Sequence, residues 1–216
     1  SPNTSDVDIA ESLAALDDAK ADMDLTQWFA DLDSLFNDTF YGVEQISELV
    51  SGLKDFSRLD QAVMDNISLN DCVENALLIA RNALKYKVEV IKRLEVLPNI
   101  RCTASQINQV LLNLFTNAAQ AIGDKGYLLI KTWSDEQQVY VSVQDTGKGI
   151  EPQNLAKIFD PFFTTKPVGQ GTGLGLSISY KIIQQHGGSI RVVSQVGKGT
   201  RFVIALPRHA VLAVAA

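Results

Sequence analysis

The run Gly169-Gln170-Gly171-Thr172-Gly173-Leu174-Gly175 leads straight into an apolar stretch with helical spacing at 174–186. No other feature restricts the possible folds as much. A glycine-rich loop that opens a helix aims several backbone N–H groups at one spot, and the helix dipole adds to them, which makes a phosphate site. Two further clusters accompany it, Asp145-Thr146-Gly147-Lys148-Gly149 and Gly197-Lys198-Gly199-Thr200. Taken singly, each cluster is equally compatible with a tight turn. Neither common nucleotide loop is present. Gly147-Lys148 and Gly197-Lys198 are both followed by glycine rather than Ser or Thr, which excludes a Walker A loop. No parallel strand–loop–helix unit with a downstream acid surrounds the glycines, which excludes a dinucleotide fingerprint.

The surrounding pattern alternates types. Helical spacing covers 70–84, 105–122 and 174–186, and a short helix is expected at 152–159. Residues 88–94, 127–132, 139–143, 190–193 and 201–206 read as strands, with the polar stretch 134–138 turning one hairpin and 196–199 another. The pattern is α+β, a sheet covered on one face by helices.

Two kinds of polar residue interrupt this apolar framework. Asn113 and Asn117 stand at i and i+4 of an otherwise Leu-, Ala- and Phe-rich helix. A buried amide without a partner costs about 1–3 kcal/mol, so each must bond to neighbouring backbone or serve a ligand such as Mg²⁺, which accepts neutral oxygens beside substrate phosphates. Asp145 closes the strand at 139–143. A carboxylate there only accepts hydrogen bonds and favours the exocyclic amine of adenine over the carbonyl of guanine; its alternative role is an Asx turn into Gly147.

The first 60 residues differ in character. They hold 14 acidic and 3 basic residues, a net of −11, against +5 for the remainder. Leu32, Phe36, Thr39, Val43, Ile46, Val50 and Leu53 step by 4 and 3, the seam of a helix that packs along another helix, widened by Leu35, Phe40, Leu49 and Phe56. A shorter helix is expected at 7–21 with Ile9, Leu13 and Leu16 inward. The overall charge of −6 argues against nucleic acid, and no apolar run approaches the ~18–20 residues of a membrane span. Cys72 and Cys102 lack metal or disulfide spacing, and no secretory leader precedes them, so a reduced cytoplasmic setting is expected.

In this order the motifs resemble the sensor histidine kinases of two-component systems, over about 140 residues. Asn113-x-x-x-Asn117-Ala118-Ala119 resembles their N box, and Asp145-x-Gly147-x-Gly149-Ile150 the first glycine box. The stretch from Phe159 to Lys166 resembles the F box and the start of the ATP lid, with Thr164 and Thr165 in it. Gly171-Thr172-Gly173-Leu174-Gly175-Leu176 resembles the second glycine box, and His186-Gly187-Gly188 and Gly197-x-Gly199-Thr200 complete the series. The wider superfamily includes DNA gyrase, MutL and a heat-shock chaperone group.

The resemblance implies a two-layer α/β sandwich, a mixed sheet of about five strands with helices on one face, preceded by a long helix of a dimeric bundle. It implies ATP and Mg²⁺ as cofactors. Asn117 would hold Mg²⁺ and Asn113 would lie near the phosphates, while Asp145 would bond the adenine amine. Gly147 and Gly149 would let adenine approach the backbone, and Gly171, Gly173 and Gly175 would shape the lid. Thr200 would support the adenine end through water, and Lys166 would reach phosphate. The ATP-hydrolysing members carry a general-base Glu where this chain has Asn113, so a kinase is favoured over the alternatives, an ATPase or ATP-gated dimer and a non-catalytic scaffold.

Gly42 to Arg58 resembles the second helix of the dimerisation domain. The family's acceptor histidine belongs on the preceding helix, yet residues 1–68 contain no histidine. The expected organisation is therefore a partial dimerisation segment at 1–66, an ATP-binding domain at 67–208 and a tail at 209–216. The acceptor helix would lie upstream. The expected partners are a response-regulator receiver domain and a second copy of the chain.

Overall fold

The computed structural model describes residues 9, 11–15, 25–58, 64–167 and 171–208. The chain divides into two compact units, Ser1–Ser47 and Glu48–Ala216.

The long helix α1 spans Leu25–Arg58. Its stripe faces outward: Phe36, Val43 and Ile46 are each about 60% exposed. The side chains of Leu49, Val50, Leu53 and Phe56 lie outside the described residues. Residues 11–15 are helical, but Ile9 and Leu13 are exposed rather than inward. Few apolar side chains among many acids cover too little area to bury this segment. Leu16 lies outside the described residues, as does the tail 209–216.

The second unit contains β1 (Asp65–Ile67), α2 (Leu69–Leu84), β2 (Val88–Leu94), β3 (Ile100–Cys102) and α3 (Ala104–Ala121). The chain continues through β4 (Gly126–Ser134), β5 (Gln138–Asp145), α4 (Pro152–Leu155), α5 (Gly175–Gln185), β6 (Ser189–Gln195) and β7 (Gly199–Pro207). The main sheet has the order β2-β4-β5-β7-β6. β2 runs parallel to β4, and every other pairing is antiparallel, so the sheet is mixed.

Helix α2 starts where the Ser68 hydroxyl accepts the Asp71 N–H at 3.2 Å, an N-cap that satisfies one otherwise orphaned donor. Its buried stripe is Leu69, Val73, Ala76, Ala80 and Leu84, and α3 answers with Ile107, Leu111, Leu114, Phe115 and Ala118. Helix α3 packs against both α2 and α5. Beneath them Val139, Val141 and Val143 alternate inward along β5. That alternation matters for the site. With a side-chain period of two, Asp145 falls on the same helix-covered face. On the opposite face Trp133 and Tyr140 stack with ring centroids 5.0 Å apart.

One expectation is corrected and one pairing is new. The short helix stops at Leu155 instead of reaching 159, because the chain beyond advances through three-residue turns: Lys157 N–H donates to the Asn154 carbonyl, Asp160 to Lys157, and Phe163 to Asp160. The two-stranded pairing of β1 with β3 was not expected, since three-residue strands carry no readable alternation.

Candidate functional site

Asp145 is 5% exposed, at the covered end of β5. Its Oδ1 accepts the Gly147 N–H at 2.8 Å and the Thr200 N–H at 3.2 Å. The first is the Asx turn, so that reading and a pocket-base carboxylate coexist, and the second ties the carboxylate to β7. Burial pushes the carboxyl above the usual carboxylate range, and the backbone N–H groups of Gly147, Thr200 and Asp145 itself pull it partly back. Thr200 is buried and its hydroxyl lies 2.8 Å from Ser194 Oγ, which also accepts the Ile150 N–H. Ser194 was not singled out from the sequence, yet it joins Ile150 to Thr200.

The glycines stand where other site groups come close. A Cβ on Gly147 would lie 2.6 Å from the Ala121 carbonyl carbon, which brings the first cluster against the end of α3, and one on Gly149 would lie 2.3 Å from the Gln195 carbonyl oxygen. A Cβ on Gly175, the first residue of α5, would meet Asn113 Oδ1 at 2.5 Å. Asn113 Nδ2 also donates to Ser179 Oγ at 3.2 Å, so α5 fixes this amide from two sides. Gly173 has a φ of +66°, and its missing Cβ leaves room for the Phe162 backbone. Phe162 is itself in the left-handed region, at φ +66°. Leu174 occupies the N-cap of α5 and, among the described residues, no side chain caps that end, where the first N–H groups of a helix lack intrahelical partners. Leu174 is buried, and Leu176 packs against the core. Thr172 Oγ1 accepts the Leu174 N–H at 3.4 Å. Gly169 and Gln170 lie outside the described residues.

Lys166 brings the F-box segment onto α3. Its ammonium donates to Asn117 Oδ1 at 3.3 Å and to Gln120 Oε1, and its backbone N–H donates to Thr164 Oγ1 at 3.1 Å. The Asn117 oxygen thus accepts from a positively charged group. Gln120 was missed in the sequence, although it stands one turn from Asn117. Thr165 is exposed, and the Phe159 ring packs on Tyr180 at 5.2 Å rather than on the amide pair.

His186 lies apart from this chemistry. It is 6% exposed, its Nε2 accepts the Thr103 N–H at 3.0 Å, and Nδ1 faces the Ile182 carbonyl at 2.8 Å. These partners assign a neutral ring protonated at Nδ1, which clamps the start of α3 to the end of α5. Both nitrogens are engaged, so neither is a nucleophile. His186→Ala is expected to cost about 1–3 kcal/mol by orphaning a buried N–H, read by urea denaturation; an unchanged midpoint would remove the clamp role. The thiols are inert as well. Burial, with Asp71 nearby, pushes Cys72 up to about 11, and burial with Cys72 nearby pushes Cys102 to about 12.

The description "Histidine kinase-, DNA gyrase B-, and HSP90-like ATPase" matches residues 102–210. The signal transduction histidine-protein kinase AtoS of Escherichia coli K12 is 41% identical over 169 residues, 76% of this chain and 27% of that protein. The sensor histidine kinase ZraS of the same strain is 37% identical over 166 residues, 76% of this chain and 35% of that protein. The chain therefore spans about a third or less of these curated relatives. Among solved structures, the catalytic domain of histidine kinase ThkA superposes with a TM-score of 0.62 at 33% identity, covering 68% of this chain and 97% of that one. Full-length ShkA in complex with AMPPNP superposes with a TM-score of 0.66 at 26% identity, covering 74% of this chain and 35% of that one. With its five-stranded mixed sheet, its N-box amides and its glycine loops, the chain belongs to the histidine kinase-, DNA gyrase B- and HSP90-like ATPase family, as an ATP-binding catalytic domain of the sensor histidine kinase type.

Proposed function

We propose that this chain is the Mg-ATP-binding part of a sensor histidine kinase that passes the γ-phosphoryl group to a histidine on a separate helix, and from there to a response-regulator aspartate. Its domains are a partial dimerisation segment at 1–66, the ATP-binding domain at 67–208 and a tail at 209–216. The observation that carries the reading is Asp145: a buried carboxylate at the end of a core strand, whose Oδ1 is held by the Gly147 and Thr200 N–H groups, so that Oδ2 can face the adenine amine. Gly147, Gly149, Ile150 and Thr200 line that end. The uncapped start of α5, with Gly171, Thr172, Gly173, Leu174, Gly175 and Leu176, takes the phosphates, joined by Thr164, Thr165 and Lys166 from the segment that Phe159 anchors.

Asn117 holds Mg²⁺ in this reading, which supplies neutralisation of phosphate charge when bound; the ammonium already resting on its oxygen supports a cation position there. Asn113 lies near the phosphates. It takes no proton at neutral pH, so it keeps water from being activated and preserves the nucleotide for a protein acceptor. Catalysis is then positioning and charge stabilisation by backbone N–H groups. The exposed α1 stripe supports assembly with a second copy. Among the described residues no helix is long and apolar enough to cross a membrane. We assign this part a cytoplasmic position, without nucleic-acid or membrane contact.

The test is calorimetric titration with a non-hydrolysable ATP analogue, with and without Mg²⁺, and with a GTP analogue as control. Binding that prefers adenine and strengthens with Mg²⁺ is expected. Asn117→Ala should lose about tenfold in affinity with Mg²⁺ and little without it. Equal loss in both conditions would remove the metal role.

A further inference from the structure

Asn117 Oδ1, the oxygen read above as the Mg²⁺ ligand, is held by a cation from the chain itself. Lys166 Nζ reaches Asn117 Oδ1 and Gln120 Oε1, two neutral oxygens one turn apart on α3. The rest of the residue is tied to the lid. Its N–H is held by Thr164 Oγ1, and its Cδ lies 2.9 Å from where a Cβ on Gly171 would stand. Glycine at 171 therefore leaves room for the lysine stem. An ammonium is a donor-only point charge, and a hard divalent ion seeks the same oxygens. The two like charges compete for Asn117 Oδ1.

We propose that Lys166 is an internal, displaceable cation: it fills the divalent-ion position on α3 while that position is without metal, pins Thr164 and Gly171 to the helix, and is driven off when Mg²⁺ arrives with nucleotide. The proposal rests on the reading of Asn117 as the metal ligand. It makes the hold on Thr164 and Gly171 a function of metal occupancy. It also means that Mg²⁺ strengthens nucleotide binding less than it would at an uncontested site, because the ion must displace a resident charge.

Two measurements on the full chain test this. The first is hydrogen exchange of nucleotide-free protein in peptides containing Thr164–Lys166 and Gly171–Leu174, for the parent, Gln120→Met, Lys166→Met and the double variant. Lys166→Met, which removes both bonds, should raise exchange about fivefold, Gln120→Met, which removes one of them, by less, and the double no further than Lys166→Met alone, since Gln120 acts through Lys166. Unchanged exchange, or additive effects, would overturn the pinning contact. The second is the ratio of ADP affinities with and without Mg²⁺. Lys166→Met should enlarge that ratio about fivefold by removing the competitor. A lysine that served only as a phosphate ligand would lower affinity equally in both conditions and leave the ratio fixed, which would overturn the proposal. Absence of nucleotide binding in every variant would overturn the ATP reading, while the nucleotide-free exchange would still decide the contact.

Discussion

Asp145→Asn is expected to weaken adenine-nucleotide binding about a hundredfold, the ~3 kcal/mol of a lost charged acceptor facing an unpaired donor, while leaving the fold as stable as the parent or slightly more so. The dissociation of the two effects follows from geometry. Oδ1 accepts from Gly147 and Thr200, and an Asn oxygen in that place can accept both bonds. Its Nδ2 then meets the adenine amine, donor against donor. If the amide flips, the oxygen faces adenine, but two buried backbone N–H groups lose their acceptor. Either orientation forfeits something that the carboxylate provides twice over. The stability effect has the opposite sign because burial raises the carboxyl's pKa above its unfolded value. The stability associated with this group is fully present below the unfolded pKa and is lost as pH rises through the folded one. At neutral pH the buried charge opposes folding, and Asn relieves that cost; at pH values where the parent carboxyl is protonated the difference should vanish. Calorimetry with ATP and GTP analogues, together with urea denaturation at neutral and acidic pH, checks both halves. The ATP preference should shrink, since an amide donor tolerates the guanine carbonyl. Unchanged ATP affinity would remove Asp145 from the pocket, and a strongly destabilised variant would make it a structural residue.

How much of this was legible beforehand varied with the range of the interaction. Helix α3 and strand β5 follow from periodicity, because their buried faces repeat within one turn or two residues. Asp145 was readable for the same reason: it continues the parity of Val139, Val141 and Val143. Asn113 and Asn117 were visible as amides on an apolar helix, and the ordered glycine clusters carried the family resemblance. The partners were not visible. Thr103 is 83 residues from His186, and no local pattern records that its N–H reaches the ring. Ser194 looks like any strand serine until β6 and β7 pair and place it beside Thr200. Gln120 was within reach, since an amide one turn beyond Asn117 shares its face. Its significance comes only with Lys166, 46 residues away. Periodicity also overran at 152–159, where apolar spacing suited to a helix is used instead by successive tight turns that bury Ile158.

The second large effect concerns Gly199, the first residue of β7. Its φ of +115° lies where residues with a side chain are strained, and a Cβ there would stand 2.0 Å from the Asp145 carbonyl oxygen and 2.9 Å from Thr146 Cα. Both neighbours are backbone, so no side chain can swing aside. Gly199→Ala must therefore move β7 away from the end of β5, and it combines dihedral strain of about 1–3 kcal/mol with a steric displacement of similar size. A loss of about 4 kcal/mol is expected, equivalent to a melting shift of roughly 10 °C for a unit of this size. The displacement acts on the site as well. Thr200 N–H leaves Asp145 Oδ1, Ser194 Oγ loses the Gly199 carbonyl it donates to, and the carboxylate is freed to turn. Nucleotide affinity should fall even at temperatures where the variant is folded. Gly197→Ala is the matched control: its φ is also positive, at +75°, but nothing lies within 4 Å of an added Cβ, so it should carry the strain alone, about 1 kcal/mol, and spare binding. A Gly199→Ala variant that melts within 2 °C of the control would show that this close approach does not hold β7 against Asp145.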